Sequence, residues 1–191
     1  DDGNATNGIE VNGLVVAASA AYSADGKHLY LTGQKAGGGD YVLSAFNVNA
    51  DGTLSATGQS VVLGSTAVKY IATSADGHVY AVAGNTLHAY AIGTDGTLGT
   101  AQVLADQPFG GTGYAIATDS ASRVFVTGTN SLAVYERNAE GQLVRVAGHV
   151  GNIGNFVRTI AVSDEGYVYI STGSPGSILT FHYDTTQKTL G

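Results

Sequence analysis

Lys69 to Leu104 reads KYIATSADGHVYAVAGNTLHAYAIGTDGTLGTAQVL, and this stretch decides the fold. Tyr70-Ile71-Ala72-Thr73 is short and β-prone, and Asp76-Gly77 supplies a tight turn into His78-Val79-Tyr80-Ala81-Val82. Gly84-Asn85 breaks the chain again before Thr86-Leu87-His88-Ala89-Tyr90-Ala91-Ile92, and Asp95-Gly96 turns it into Thr97-Leu98 and Val103-Leu104. Asp-Gly provides the positive-φ positions that short hairpin turns require. Four strands joined by hairpins follow. No run of helical length keeps an apolar 3.6 period free of glycine, so the class is all-β.

The same punctuation recurs along the chain. An apolar-aromatic pair follows a turn at Leu29-Tyr30, Val79-Tyr80, Val124-Phe125 and Val168-Tyr169, so the aromatic residue falls at 30, 80, 125 and 169. A second anchor, Asp51-Gly52-Thr53-Leu54, returns as Asp95-Gly96-Thr97-Leu98 and as Glu140-Gly141-Gln142-Leu143, with Leu190 as a fourth point. Both anchors give a period near 45 residues, with repeats at about 2–50, 51–94, 95–139 and 140–185, and 186–191 starting the next. A four-stranded antiparallel unit at that period is a propeller blade, whereas a β-sandwich demands no such period. The expectation is one β-propeller domain over 1–191 with four blades of four antiparallel strands. It forms either a closed four-bladed ring or part of a larger propeller. In a closed ring, about Ile9 to Val16 is expected to supply the outer strand of the last blade and leave no open seam.

Composition narrows the function. Eight Lys and Arg stand against 15 Asp and Glu, for a net charge of −7, and the cations are scattered singly. Nucleic-acid binding needs clustered cations to displace counterions and is not expected. The longest apolar run, Gly13 to Ala18, is far short of the roughly 20 residues that cross a bilayer, so no membrane insertion is expected. The start carries neither Met nor a basic and apolar leader, and the sequence reads as a mature or excised segment. Low charge with 28 Gly and abundant Ser, Thr and Asn is similar to secreted bacterial surface proteins, which gives an extracellular or cell-surface expectation. Absent cysteine removes disulfides and thiolate metal sites. Asn4-Ala5-Thr6 fits a glycosylation sequon, a motif common by chance.

Tyr22-Ser23-Ala24-Asp25-Gly26-Lys27-His28-Leu29-Tyr30-Leu31 and Thr73-Ser74-Ala75-Asp76-Gly77-His78-Val79-Tyr80-Ala81-Val82, each followed by a D-G-T-L turn, resemble the YVTN-type lactonase-like propellers over essentially the whole chain. The resemblance implies the blade type. Its family includes lactonases that open sugar-acid lactones, and blade arrays in large secreted or surface-anchored bacterial proteins without known catalysis. Lactonase members carry a His-Pro or Ser-Pro step before the turn, where this chain has Ala24, Ala75 and Asp164, and usually hold about seven blades. No catalytic residue carries over by motif.

Aligned repeats place Ala18, Lys69, Tyr114 and Arg158 at one level, just before each innermost strand. Two cations and a tyrosine at a channel mouth suit an anionic ligand, because Arg presents a bidentate fork and Lys a point charge. The Gly-rich loops Gln107 to Gly113 and Gly151 to Phe156 flank this level, and the candidate ligand-binding residues are Lys69, Phe109, Tyr114, Asn155, Phe156 and Arg158. The plain alternative is that the two cations are solvated or paired. The histidines at 28, 78, 88, 149 and 182 share no ligand spacing, and Asn47 to Gly52 begins like an EF-hand but has Gly58 where the loop needs Glu. Gly173-Ser174-Pro175-Gly176-Ser177 is a turn and no nucleophile elbow. No metal, no cofactor and no catalytic residue is therefore assigned. The leading expectation is a non-enzymatic scaffold, adhesion or assembly module with a protein or carbohydrate partner, self-associating if its ring is open. The alternatives are a lactonase-like hydrolase in which Lys69 and Arg158 polarise a carbonyl, and a carbohydrate- or peptide-binding module built on the loops around Phe109 and Phe156.

Overall fold

The computed structural model describes residues 13–105, 115–151, 153, 157–173 and 176–191, with only the backbone described at 69 and 150. The first sheet is β1 (Leu14–Tyr22), β2 (His28–Lys35), β3 (Tyr41–Val48) and β4 (Leu54–Gly64). The second is β5 (Val68–Ser74), β6 (His78–Ala83), β7 (Thr86–Ala91) and β8 (Gln102–Leu104). The third is β9 (Ala115–Thr118), β10 (Val124–Gly128), β11 (Ser131–Arg137) and β12 (Leu143–Val150). The fourth is β13 (Val157–Val162), β14 (Tyr167–Gly173), β15 (Gly176–Asp184) and β16 (Thr189–Leu190). Each sheet runs in sequence order with antiparallel neighbours, as four propeller blades do.

The innermost strands stand side by side: β1 lies along β5, β5 along β9 and β9 along β13. Among the described residues β13 does not lie along β1 in the same way, so the four blades form an open arc. Of the stretch Ile9 to Val16, expected in the outer strand of the last blade, residues 9–12 lie outside the described residues, and Leu14 to Val16 instead begin β1, with Leu14 paired to Lys35 and its side chain over Gly33. The outer strand of the fourth blade is β16, from the chain's own C-terminal end. Hairpin pairing to β2 is local and wins over a pairing across the whole domain.

Three apolar cores fill the three seams, because both faces of an inner blade are apolar. The anchor aromatics point forward into the next blade. Tyr30 donates its hydroxyl to the Gly96 carbonyl at 2.9 Å. Tyr80 accepts from Arg137 Nη2 at 3.0 Å, with that guanidinium 5.8 Å over its ring. Phe125 meets Tyr183 edge-on at 6.2 Å. The outer strands carry a second tie. Gln59 donates to the Leu98 carbonyl and accepts from its N–H, and Gln102 does the same to Leu143, so one side-chain amide satisfies both backbone groups of the next blade's turn.

Gly96 shows how tightly the first seam is closed. Its φ is +78°, and a Cβ there would fall 2.1 Å from Nδ1 of the buried His28. Gly96→Ala is expected to cost about 2–4 kcal/mol, combining backbone strain with a displaced ring. Gly52→Ala, at φ +81° with nothing near its Cβ, should cost only the strain; thermal melts of the pair separate the two effects.

Burial pushes the Tyr30 phenol from 10.0 up to about 12, with Asp25 and Asp95 acting in the same direction. The folded chain therefore holds this proton where the unfolded chain has lost it. Stability present below pH 10 should fall as pH rises from 10 toward 12, with phenolate absorbance appearing together with unfolding.

Candidate functional site at the channel mouth

Each innermost strand described at its start carries a register irregularity at one level: between Ala17 and Ser19 in β1, between Val68 and Ile71 in β5, and between Val157 and Thr159 in β13. Ala18, Lys69 and Arg158 sit at these irregularities. The aligned positions thus share a structural level, inside the strands rather than before them. A bulge turns its extra residue away from the sheet's regular alternation and re-aims it, which is why bulges gather near binding sites. Of the other candidates, Phe109, Tyr114, Asn155 and Phe156 lie outside the described residues, as do both flanking loops apart from Gly151 and Ile153.

Arg158 is exposed on β13, with its guanidinium against the end of the β14–β15 hairpin; a Cβ on Gly173 would come 2.6 Å from Arg158 Nε. Among the described residues no carboxylate stands within ion-pair distance of it, whereas Arg123, Arg137 and Lys188 each have one. Tyr70, at the β5 irregularity, reaches from the second blade to the fourth and donates its hydroxyl to the Arg158 carbonyl at 3.0 Å. It was not a sequence candidate. Its place one residue after Lys69, inside the same irregularity, is visible only once the register is known. The mouth can therefore offer a guanidinium and a phenol to a polar or anionic molecule.

A second cluster lies at the other end of the blades, in a cleft of about 290 Å³ lined by Asp76, Ser122, Arg123, Glu136, Arg137 and Lys188. Its charges are spent on one another. Arg137 Nε lies 3.0 Å from Asp76, Lys188 Nζ lies 2.7 Å from Glu136, and Arg123 is paired with Asp119. The Tyr183 ring lies within 5.7 Å of Arg123 and 5.9 Å of Lys188, and its hydroxyl donates to Glu136 at 2.8 Å. Burial, followed by the Glu136 contact, pushes the Tyr183 phenol well above its ordinary range. Burial alone would raise the Asp76 carboxyl, but Ser74, His78 and Arg137 together outweigh it and hold it below the usual range. These contacts run from blade to blade, so the cluster joins the second, third and fourth blades. Among the described residues, no three His, Asp or Glu side chains form a metal-binding group.

No family model and no curated protein matches the chain. Solved structures do. It is similar to a protein from Lactobacillus plantarum, at 20% identity over 92% of this chain and 54% of that one, with a TM-score of 0.76. A functionally unknown protein from Desulfotomaculum acetoxidans gives 19% identity, 92% and 54% coverage, and 0.74. A protein from Bacteroides uniformis, provisionally named a 6-phosphogluconolactonase, gives 16%, 92% and 52%, and 0.73. These likenesses show the fold alone. The chain spans about half the length of the solved proteins it matches.

Proposed function

We propose that the chain is a non-enzymatic module of the YVTN-type, lactonase-like propeller class, acting as a scaffold or assembly unit of a secreted or cell-surface protein. One observation carries this reading. The forward face of the fourth blade has the residues of a blade seam and no blade on it among the described residues. Tyr169 is 42% exposed where Tyr30, Tyr80 and Phe125 are each 0% exposed. An exposed apolar face of this kind marks an interaction surface. The test is binding of an environment-sensitive dye to the purified chain at a concentration where it is monomeric. Dye fluorescence should fall in Ile178→Asp while circular dichroism stays unchanged. Turnover of a sugar-acid lactone abolished by Arg158→Ala would overturn the reading.

Lactone hydrolysis at the channel mouth is the second reading, supported by the likeness to the Bacteroides uniformis protein and by the exposed Arg158. In that case Arg158→Ala should remove turnover and leave the melting temperature unchanged, while Ile178→Asp should not affect turnover.

A further inference from the structure

We infer that the charged cleft between the second, third and fourth blades binds an oxyanion, the phosphate or carboxylate group of a small ligand. The site is separate from the channel mouth and from the forward face of the fourth blade.

The repeats show how far this cleft departs from an ordinary blade seam. Strand pairing aligns the blades: Val48 faces Leu54, Ile92 faces Leu98, Arg137 faces Leu143 and Tyr183 faces Leu190. Arg137 thus stands where the other blades have an apolar or aromatic residue. Two residues before the leucine, Gly52, Gly96 and Gly141 have positive φ, and the fourth blade has Lys188 there at φ 55°. In the turn after the innermost strand, Gly26, Gly77 and Gly166 have positive φ, and the third blade has Ser122 at φ 62°. Both side chains that replace a glycine line this one cleft. A side chain held at positive φ costs strain, and such strain gathers at functional sites.

The first seam supplies the comparison. Its cleft at the equivalent turns, of about 240 Å³, has Gly77 in place of Ser122 and Ile92 in place of Arg137. No Lys or Arg lines it. Three of the chain's eight, Arg123, Arg137 and Lys188, line the other cleft, against the carboxylates of Asp76 and Glu136. Asp119, the ion-pair partner of Arg123, is fully buried and does not line it.

Hydrogen bonding decides what the cleft accepts. The carboxylates are already served. Asp76 accepts from the Ser74 hydroxyl and from Arg137 Nε, with His78 Nδ1 3.2 Å away. Glu136 accepts from Lys188 Nζ on both oxygens and from the Tyr183 hydroxyl. Among the described residues the donors are not used up. Lys188 directs two contacts at Glu136 and has a third N–H. Arg137 spends one N–H each on Asp76, Gly141 and Tyr80, and Arg123 one each on Asp119 and Asp164, out of five apiece. Ser122 Oγ accepts the Asp76 N–H and keeps its own hydrogen to donate. Spare donors beside filled acceptors suit a group that only accepts, and guanidinium pairs with carboxylate or phosphate through parallel N–H groups. At about 290 Å³ the cleft has room for a small ligand.

Isothermal titration with inorganic phosphate and with galacturonate, at matched ionic strength, tests the site in the wild-type chain, Lys188→Gly, Ser122→Gly and Lys27→Ala. The two glycine variants restore the residue that the other blades carry, so circular dichroism should not change. Their dissociation constants should rise about 10-fold or more, the loss expected for one charge-assisted or buried hydrogen bond. Lys27→Ala removes an exposed cation from the corresponding turn of the first blade and should bind as the wild type does. Binding of phosphate alone assigns a phosphorylated ligand and binding of galacturonate alone a carboxylate; either result, or both, supports the inference. A wild-type chain that binds neither at millimolar concentration overturns it. Binding that survives both glycine variants, or that falls equally in Lys27→Ala, also overturns it.

Discussion

Leu87→Ala lowers the stability of the chain by about 2–5 kcal/mol, the range for removing a large aliphatic side chain from a core that cannot fully collapse. Leu87 is fully buried and belongs to the cluster between the second and third blades, together with Tyr80, Val124, Val126 and Tyr135. Neither sheet can shift to fill the void, because each is held on its other side by a further seam. In a domain of this size the loss corresponds to a fall in melting temperature on the order of 10 °C. Ile178→Ala, at the same repeat position, should change the isolated chain at low concentration by under about 0.5 kcal/mol. Melts of the two variants side by side read the contrast. Equal losses would show that the fourth blade's face is already covered within one chain.

Asp119→Ala has the second large effect, a loss of about 3–5 kcal/mol. The Asp119 side chain is fully buried and Arg123 nearly so, and their carboxylate and guanidinium are in direct contact. Asp119 also accepts the Arg123 backbone N–H at 2.9 Å, while Arg123 donates to the Asp164 carbonyl at 3.2 Å. Removing the carboxylate leaves a largely buried guanidinium with the Asp164 carbonyl, the Tyr183 ring and the more distant Asp164 carboxylate as its remaining partners. The other repeats put serine here, at Ser23, Ser74 and Ser163, and Ser23 and Ser163 accept the corresponding backbone N–H. Asp119→Ser alone should therefore remain costly, whereas Asp119→Ser with Arg123→His, which copies the Ser74 and His78 pair, should recover a large part of the loss. Failure of the double variant to recover stability, in chemical denaturation, would place the effect in the turn and not in the ion pair.

That turn shows where reading the sequence runs out. Three repeats use Gly26, Gly77 and Gly166 at positive φ, but the third repeat has Ser122 at φ 62°. The strain at a residue with a Cβ has a visible counterpart: Ser122 Oγ accepts the Asp76 N–H of the preceding blade at 3.0 Å. Spacing alone matched Ala121-Ser122 to the other turns. Why serine is there depends on a contact 46 residues away in sequence.

The chain by itself determined the blade. Asp-Gly turns, β-prone runs and a 45-residue period are local properties, and local hydrogen bonding between consecutive strands fixes each sheet. Aligned repeats likewise put Ala18, Lys69 and Arg158 at one position, where the structure has a register irregularity in each of their strands. Tertiary structure decided everything that depends on one blade meeting another. It set the irregularities that put Tyr70 beside the Arg158 carbonyl, the Gln59 and Gln102 amides that grip the next turn, and the pairing of scattered cations with Asp76, Asp119 and Glu136. It also decided that the arc is open among the described residues. Tyr169 and Ile178 look like their buried counterparts in sequence, and a residue type records that a face is apolar without recording whether a neighbour is there to cover it.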